Sequence, residues 1–97
     1  MSQILIAEDE SRIASFLEKG LRENGFGTTV AGDGELALLL ARTGGFDLLI
    51  LDLGLPRVHG TEVLRRLRAE GFTLPVIILS ARDAVDDRVA GLEGGAN

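Results

Sequence analysis

The 97-residue chain has no cysteine, tryptophan or tyrosine, a single histidine and only two prolines. Without cysteine, disulfides and thiolate metal sites are excluded, and a reducing cytoplasm is a suitable setting. Basic residues are outnumbered, ten Lys and Arg against fifteen Asp and Glu, for a formal net charge of −5. That balance argues against the chain itself binding nucleic acid, because phosphate backbones reward basic surfaces. Long apolar runs are missing too. The N-terminal run from Met1 meets Glu8 too soon for a signal peptide, and no stretch approaches membrane-spanning length. A cytoplasmic location and no membrane partner are expected. No tandem repeat, low-complexity tract or linker divides the sequence, so residues 1–97 are expected to form one domain.

What is present alternates between two periods. Gln3 to Ala7 is a compact apolar strand that ends in Glu8-Asp9-Glu10. Ile13, Phe16, Leu17, Gly20 and Leu21 then fall at helical spacing, and Asn24-Gly25 stops that helix. Thr28-Thr29-Val30-Ala31 is short and β-branched, and Gly32-Asp33-Gly34 turns the chain. Asp33 can cap a second helix with Leu36, Leu39, Leu40 and Thr43 in one stripe, closed by Gly44-Gly45. Leu48 to Leu51 runs directly into Asp52, and Gly54 and Pro56 end the run, as in a strand buried on both faces. A third helix over Thr61 to Glu70 puts Val63, Leu64 and Leu67 inward and Arg65, Arg66 and Arg68 outward. Leu74 to Leu79 is a second doubly buried strand, with Pro75 tolerable near its start. Val85, Val89 and Leu92 mark a fourth helix.

Strands alternating with helices imply an α/β fold with a parallel sheet, right-handed crossovers and helices on both faces. Such a sheet brings the carboxyl ends of its strands to one edge, where ligands bind. Glu8 and Asp9 after the first strand, Asp52 after the third and Ser80 after the fourth would meet there. Converging carboxylates raise one another's pKa unless a cation is present, and an all-oxygen donor set with waters is Mg²⁺ chemistry. Gly54 has no side chain to keep its carbonyl from such a metal. A carboxylate beside Mg²⁺ can attack phosphorus to give an acyl phosphate, and the Ser80 hydroxyl could bond a phosphoryl oxygen. A cationic clamp is the missing part, with only Arg82 and, more distantly, Arg57 in the neighbourhood.

These residues stand in the segments ILIAEDE, DLLILDLGLPRVHG, PVIILSAR and DRVAGLEGGA, which together resemble a response-regulator receiver domain of two-component signalling, a CheY-like domain. The resemblance implies a flavodoxin-like, doubly wound parallel sheet of strand order 2-1-3-4, with four of the usual five βα units. It implies Asp52 as phosphoacceptor, and Glu8, Asp9, Asp52 and the Gly54 carbonyl as Mg²⁺ ligands. It also implies Ser80 as switch hydroxyl, Ala81 as the small residue admitting the phosphoryl group, and Pro56 and Gly60 as shapers of the loop. The implied partner is a sensor histidine kinase. The wording of Asp87 to Leu92 is similar to receivers that precede a winged-helix DNA-binding domain (OmpR/PhoB type). DNA would then be bound only through an effector domain not in this chain. In the family, a switch aromatic, a Lys and a final helix follow this point. The expectation is therefore a chain cut short, whose fourth strand is an exposed edge prone to self-association.

Plainer readings compete for several residues. Asp9 is equally a cap for the first helix, and Ser80 a strand-end cap. His59 reads as a solvated loop residue, the Arg65, Arg66 and Arg68 group as a solvated face, and the four phenylalanines as core or its edge. Gly20 lowers the propensity of the first helix and would permit close packing. For function, one alternative is a small Mg²⁺-dependent phosphohydrolase with an Asp nucleophile. That enzyme would want an acid where Gly54 stands. The other is a metal- or partner-binding module that is not efficiently phosphorylated. As a receiver, the chain would not be an enzyme beyond catalysing its own phosphorylation and dephosphorylation.

Overall fold

The computed structural model describes residues 1–79. Its elements alternate: β1 (Gln3–Ala7), α1 (Ser11–Glu23), β2 (Gly27–Ala31), α2 (Gly34–Ala41), β3 (Leu48–Asp52), α3 (Gly60–Ala69) and β4 (Val76–Leu79). All three strand pairings are parallel, as the alternation of elements implied, and the order is β2-β1-β3-β4, as the resemblance implied. Ser80, Ala81, Arg82 and the expected fourth helix lie outside the described residues.

The strand period of two sorts the sheet into two faces. Leu5, Ala7, Leu49, Leu51 and Val76 pack against Ala37, Leu38 and Ala41 of α2 and against Val63, Leu64 and Leu67 of α3. Ile4, Ile6 and Ile50 form the opposite face, covered by Leu17, Leu21 and Phe26. β1 and β3 are thus apolar on both sides, which is why their sequences run without alternation.

Four expectations need correction. In α2 the buried residues are Gly34, Ala37, Leu38 and Ala41, while Leu36 and Leu39 are exposed (38% and 63%). Every residue from Leu36 to Ala41 is apolar, so helical spacing fits more than one stripe. The face turned inward carries three small residues beside Leu38. Phe16 is 76% exposed instead of forming core. It stands beside the row of Leu17 and Leu21 that meets the sheet. Among the described residues nothing lies within 4 Å of a Cβ built on Gly20, so that glycine serves no close packing there. Finally, β4 is not doubly buried. Val76 is buried but Ile77 is 51% exposed, and among the described residues β4 is a sheet edge. Pro75 precedes β4 and still joins the ladder, its carbonyl accepting from the Leu49 N–H at 3.0 Å. The other three phenylalanines, Phe26, Phe46 and Phe72, pack against the core as expected.

Candidate functional site

Register decides which acids meet. Ala7 of β1 lies beside Leu51 of β3, so the next positions, Glu8 and Asp52, come level at the carboxyl edge of adjacent strands. Neighbouring strands are only about 4.8 Å apart, which leaves no room for the two side chains to avoid each other. Glu8, Asp9 and Asp52 each offer a carboxylate oxygen, and these oxygens all lie within 4.8 Å of one another.

The three acids differ in setting. Glu8 is 4% exposed and is the buried charged residue among those described. Its backbone N–H donates to the Ala31 carbonyl at 3.0 Å, and its Oε2 accepts from the Glu10 N–H at 2.9 Å. Burial raises its pKa first, against the lowering effect of the Glu10 N–H, and the nearby Asp52 and Asp9 raise it further. Asp52 is half-buried, and its Oδ1 accepts from the Gly54 N–H at 3.1 Å. Asp9 is exposed and does not cap α1. Glu10 holds the N-cap position, with no side-chain capping bond. The capping alternative for Asp9 is therefore wrong.

The loop after Asp52 is built by close backbone packing. The Gly60 N–H donates to the Leu53 carbonyl at 3.0 Å, and a Cβ on Gly60 would stand 2.4 Å from the Asp52 carbonyl oxygen. Any side chain there would push against the end of β3. The Pro56 carbonyl accepts from Val58 at 2.9 Å and from the Gly34 N–H at 3.1 Å, joining the loop to the start of α2. Asp33 caps that helix, as expected, its Oδ1 accepting from the Leu36 N–H at 2.8 Å. The guanidinium of Arg57 is engaged away from the acid cluster, 3.7 Å from Asp33 Oδ2 and 3.7 Å from Glu35 Oε2. As placed, it is no clamp for a group on Asp52. His59 is exposed at the N-cap of α3 without a capping bond.

Sequence reasoning missed the part played by Gly34. A Cβ on Gly34 would stand 1.7 Å from the Val58 carbonyl oxygen. The Asp33-Gly34 pair signals a cap, but nothing local signals a contact with a loop so distant in the chain. Of the three arginines of α3 expected on a solvated face, Arg65 and Arg66 are exposed, but Arg68 is half-buried and donates to the Phe72 carbonyl at 2.9 Å. Arg65 and Arg66 both bond Glu62, at 2.8 and 2.7 Å, which holds the Glu62 carboxyl down at about 2.

The donor set fits a hard divalent cation. Three carboxylates converge with no cationic side chain among them in the described residues, and one of them is buried with its pKa raised. Residues 4–97 match the model of the response regulator receiver domain. The chain belongs to the response regulator receiver family. Among relatives of this receiver, the uncharacterized transcriptional regulatory protein YkoG of Bacillus subtilis is 47% identical over 94 residues, 97% of this chain and 41% of that protein. The response regulator protein PmrA of Pseudomonas aeruginosa is 46% identical over 95 residues, 98% of this chain and 43% of that protein. The receiver thus spans about two fifths of the length of the curated relatives it matches. A solved receiver domain of the Francisella response regulator 1452 superposes with a TM-score of 0.92 at 38% identity, covering 100% of this chain and 80% of that one. The Vibrio cholerae chemotaxis protein CheY4 superposes with a TM-score of 0.90 at 25% identity, covering 100% and 82%.

Proposed function

We propose that this receiver domain is a phosphorylation switch with Asp52 as phosphoacceptor, working with Mg²⁺ held by Glu8, Asp9 and Asp52 and by the Gly54 carbonyl. The observation that carries the reading is the convergence of Glu8, Asp9 and Asp52 at the carboxyl edge of adjacent parallel strands. A carboxylate oxygen of Asp52 attacks the phosphorus of the donor. The bond from phosphorus to the leaving group breaks, and the leaving group departs with the bonding electrons, leaving an acyl phosphate on Asp52. A bound Mg²⁺ would neutralise charge on the phosphoryl oxygens. The Gly54 N–H keeps one oxygen of Asp52 oriented, and Gly60, by lacking a side chain, lets the loop close over the strand end. In this reading Pro56 shapes the loop, Ser80 contacts the phosphoryl group, and Ala81 leaves it room.

The donor is a phosphohistidine on a sensor histidine kinase, or a small acyl phosphate. The regulatory name of a longer relative supports a transcription factor as parent protein; in this reading the parent is cytoplasmic and binds DNA through a winged-helix effector domain. Residues 1–97 act as the receiver unit and catalyse only their own phosphorylation and dephosphorylation. Self-association through the β4 edge is part of the reading, since Ile77 is half exposed there. Light scattering should then show mass rising with concentration, and a clean monomer at high concentration would remove that part.

The experiment is incubation with Mg²⁺ and acetyl phosphate, followed by intact mass. One phosphoryl adduct is expected, lost in Asp52→Asn and in chelator. Catalytic release of phosphate from many substrates would overturn the switch in favour of a hydrolase.

A further inference from the structure

The loop that follows Asp52 is held at two places. At its far end, Gly60 is seated against the Asp52 and Leu53 backbone. Midway, the loop is pressed onto the first turn of α2, where the Gly34 N–H meets the Pro56 carbonyl and no Cβ fits between Gly34 and the Val58 carbonyl. Within that midway contact, between Pro56 and Val58, stands Arg57, the one non-glycine residue with positive φ (69°) among those described. An arginine gains nothing from a left-handed backbone that glycine adopts more readily. The backbone contacts of Pro56 and Val58 with Gly34 fix the loop on either side of it, and its guanidinium lies 3.7 Å from both Asp33 and Glu35. Asp33 has a double task, one oxygen capping α2 at Leu36 and the other facing Arg57.

We infer that Arg57 is a positioning residue, a latch that ties the loop carrying Gly54 to the acidic first turn of α2 and so tunes the affinity of the acid cluster for a divalent cation. The inference rests on the metal-site reading above. The loop begins at Asp52 itself, and its first turn supplies the Gly54 N–H that orients the Asp52 carboxylate. A loop free to slide on α2 would let that turn open. A held loop keeps the carboxylate and the adjacent carbonyl where a cation can use them, at less ordering cost on binding. Both ion pairs are exposed on the Arg57 side, so the latch is modest and sensitive to salt.

The test uses Mn²⁺ as probe, measured by calorimetry, together with hydrogen exchange of the Gly34 and Gly60 amides. Arg57→Ala should weaken Mn²⁺ binding by about three- to fivefold and speed exchange at Gly34 by a similar factor, the size expected for losing two exposed pairs. Arg57→Lys should restore most of both. In high salt the wild type should approach the Ala variant. Arg57→Gly separates positioning from simple stability. It relieves the left-handed backbone and should raise the melting temperature while still binding Mn²⁺ as weakly as Arg57→Ala. Wild-type affinity and exchange in both Ala and Gly variants would overturn the latch and leave the metal site standing. A wild-type chain that takes up no Mn²⁺ would overturn the metal site, and the latch's role in it.

Discussion

Two glycine-to-alanine substitutions should move stability in opposite directions, for reasons visible in the surroundings of each. Gly34 is the buried first residue of α2. A methyl group there would lie 1.7 Å from the Val58 carbonyl oxygen and 2.6 Å from its carbon. Backbone atoms cannot swing aside as a flexible side chain can, so the loop must lift off the helix by well over an ångström. That movement also breaks the 3.1 Å bond from the Gly34 N–H to Pro56, leaving a buried donor unpaired at a cost of about 1–3 kcal/mol. Overpacking strain adds about 1–3 kcal/mol, and the gain in helix propensity from alanine recovers roughly 1 kcal/mol at most. Gly34→Ala should therefore lose about 1–5 kcal/mol, against the roughly 5–15 kcal/mol available to a domain of this size. Gly20 sits inside α1 with nothing among the described residues within 4 Å of the added methyl. Gly20→Ala should gain about 0.5–1 kcal/mol. With no tryptophan or tyrosine in the chain, urea unfolding is best followed by far-ultraviolet circular dichroism. On heating, the Gly34 variant should melt at least about 4 °C below wild type, with the Gly20 variant a few degrees above it. A Gly34→Ala protein as stable as wild type would refute the reasoning, because the Val58 carbonyl would then be free to yield.

Glu8 makes stability depend on pH. Its carboxyl is raised above the ordinary 4.5, by burial first and then by Asp52 and Asp9. The folded state therefore holds this proton more tightly than the unfolded one, and the contribution, full below pH 4.5, is lost as pH rises through the elevated value. In chelator, the urea midpoint should fall as pH is raised from 4.5 towards neutrality. Glu8→Gln should flatten that slope and be the more stable protein at pH 7, and an unchanged slope would show that Glu8 is not its source. Asp33→Ala removes the 2.8 Å cap on the Leu36 N–H and should cost about 1 kcal/mol in the same titration; a loss below a few tenths would mean that water replaces the cap. Phe16→Ser changes a ring that is 76% exposed. It should shift stability by less than about 0.5 kcal/mol, and a larger loss would restore Phe16 to the core.

The parts of the fold legible in the sequence are those written by local pattern. A parallel strand covered on both faces must be apolar at every position, so β1 and β3 stand out as unbroken runs, and an acid closing such a run, as Asp52 does, is conspicuous. Capping acts within one turn, so Asp33 announced α2 before any tertiary contact was known. The inward face of α2 was not legible, because a helix apolar from Leu36 to Ala41 carries no contrast between its sides. Phe16 misled in the same way: its spacing fits the buried stripe, yet its direction falls beside it. The seating of Gly34 on Val58 and the pairing of Arg57 with Asp33 and Glu35 join residues far apart in the chain. They follow from the path of the loop and leave no periodic mark. Asp9 reads equally as a cap in the sequence because it lies one residue before the true N-cap, Glu10.

The central claim is that Asp52, rather than another acid of the cluster or a hydroxyl, receives the phosphoryl group. Borohydride reduces an acyl phosphate of aspartate to homoserine and leaves phosphate esters intact. After incubation with Mg²⁺ and acetyl phosphate, reduction and peptide mapping should find homoserine at position 52, and none when the metal is chelated. Reduction at Glu8 or Asp9, or a borohydride-stable phosphate on Ser80 with Asp52 unmodified, would contradict the account.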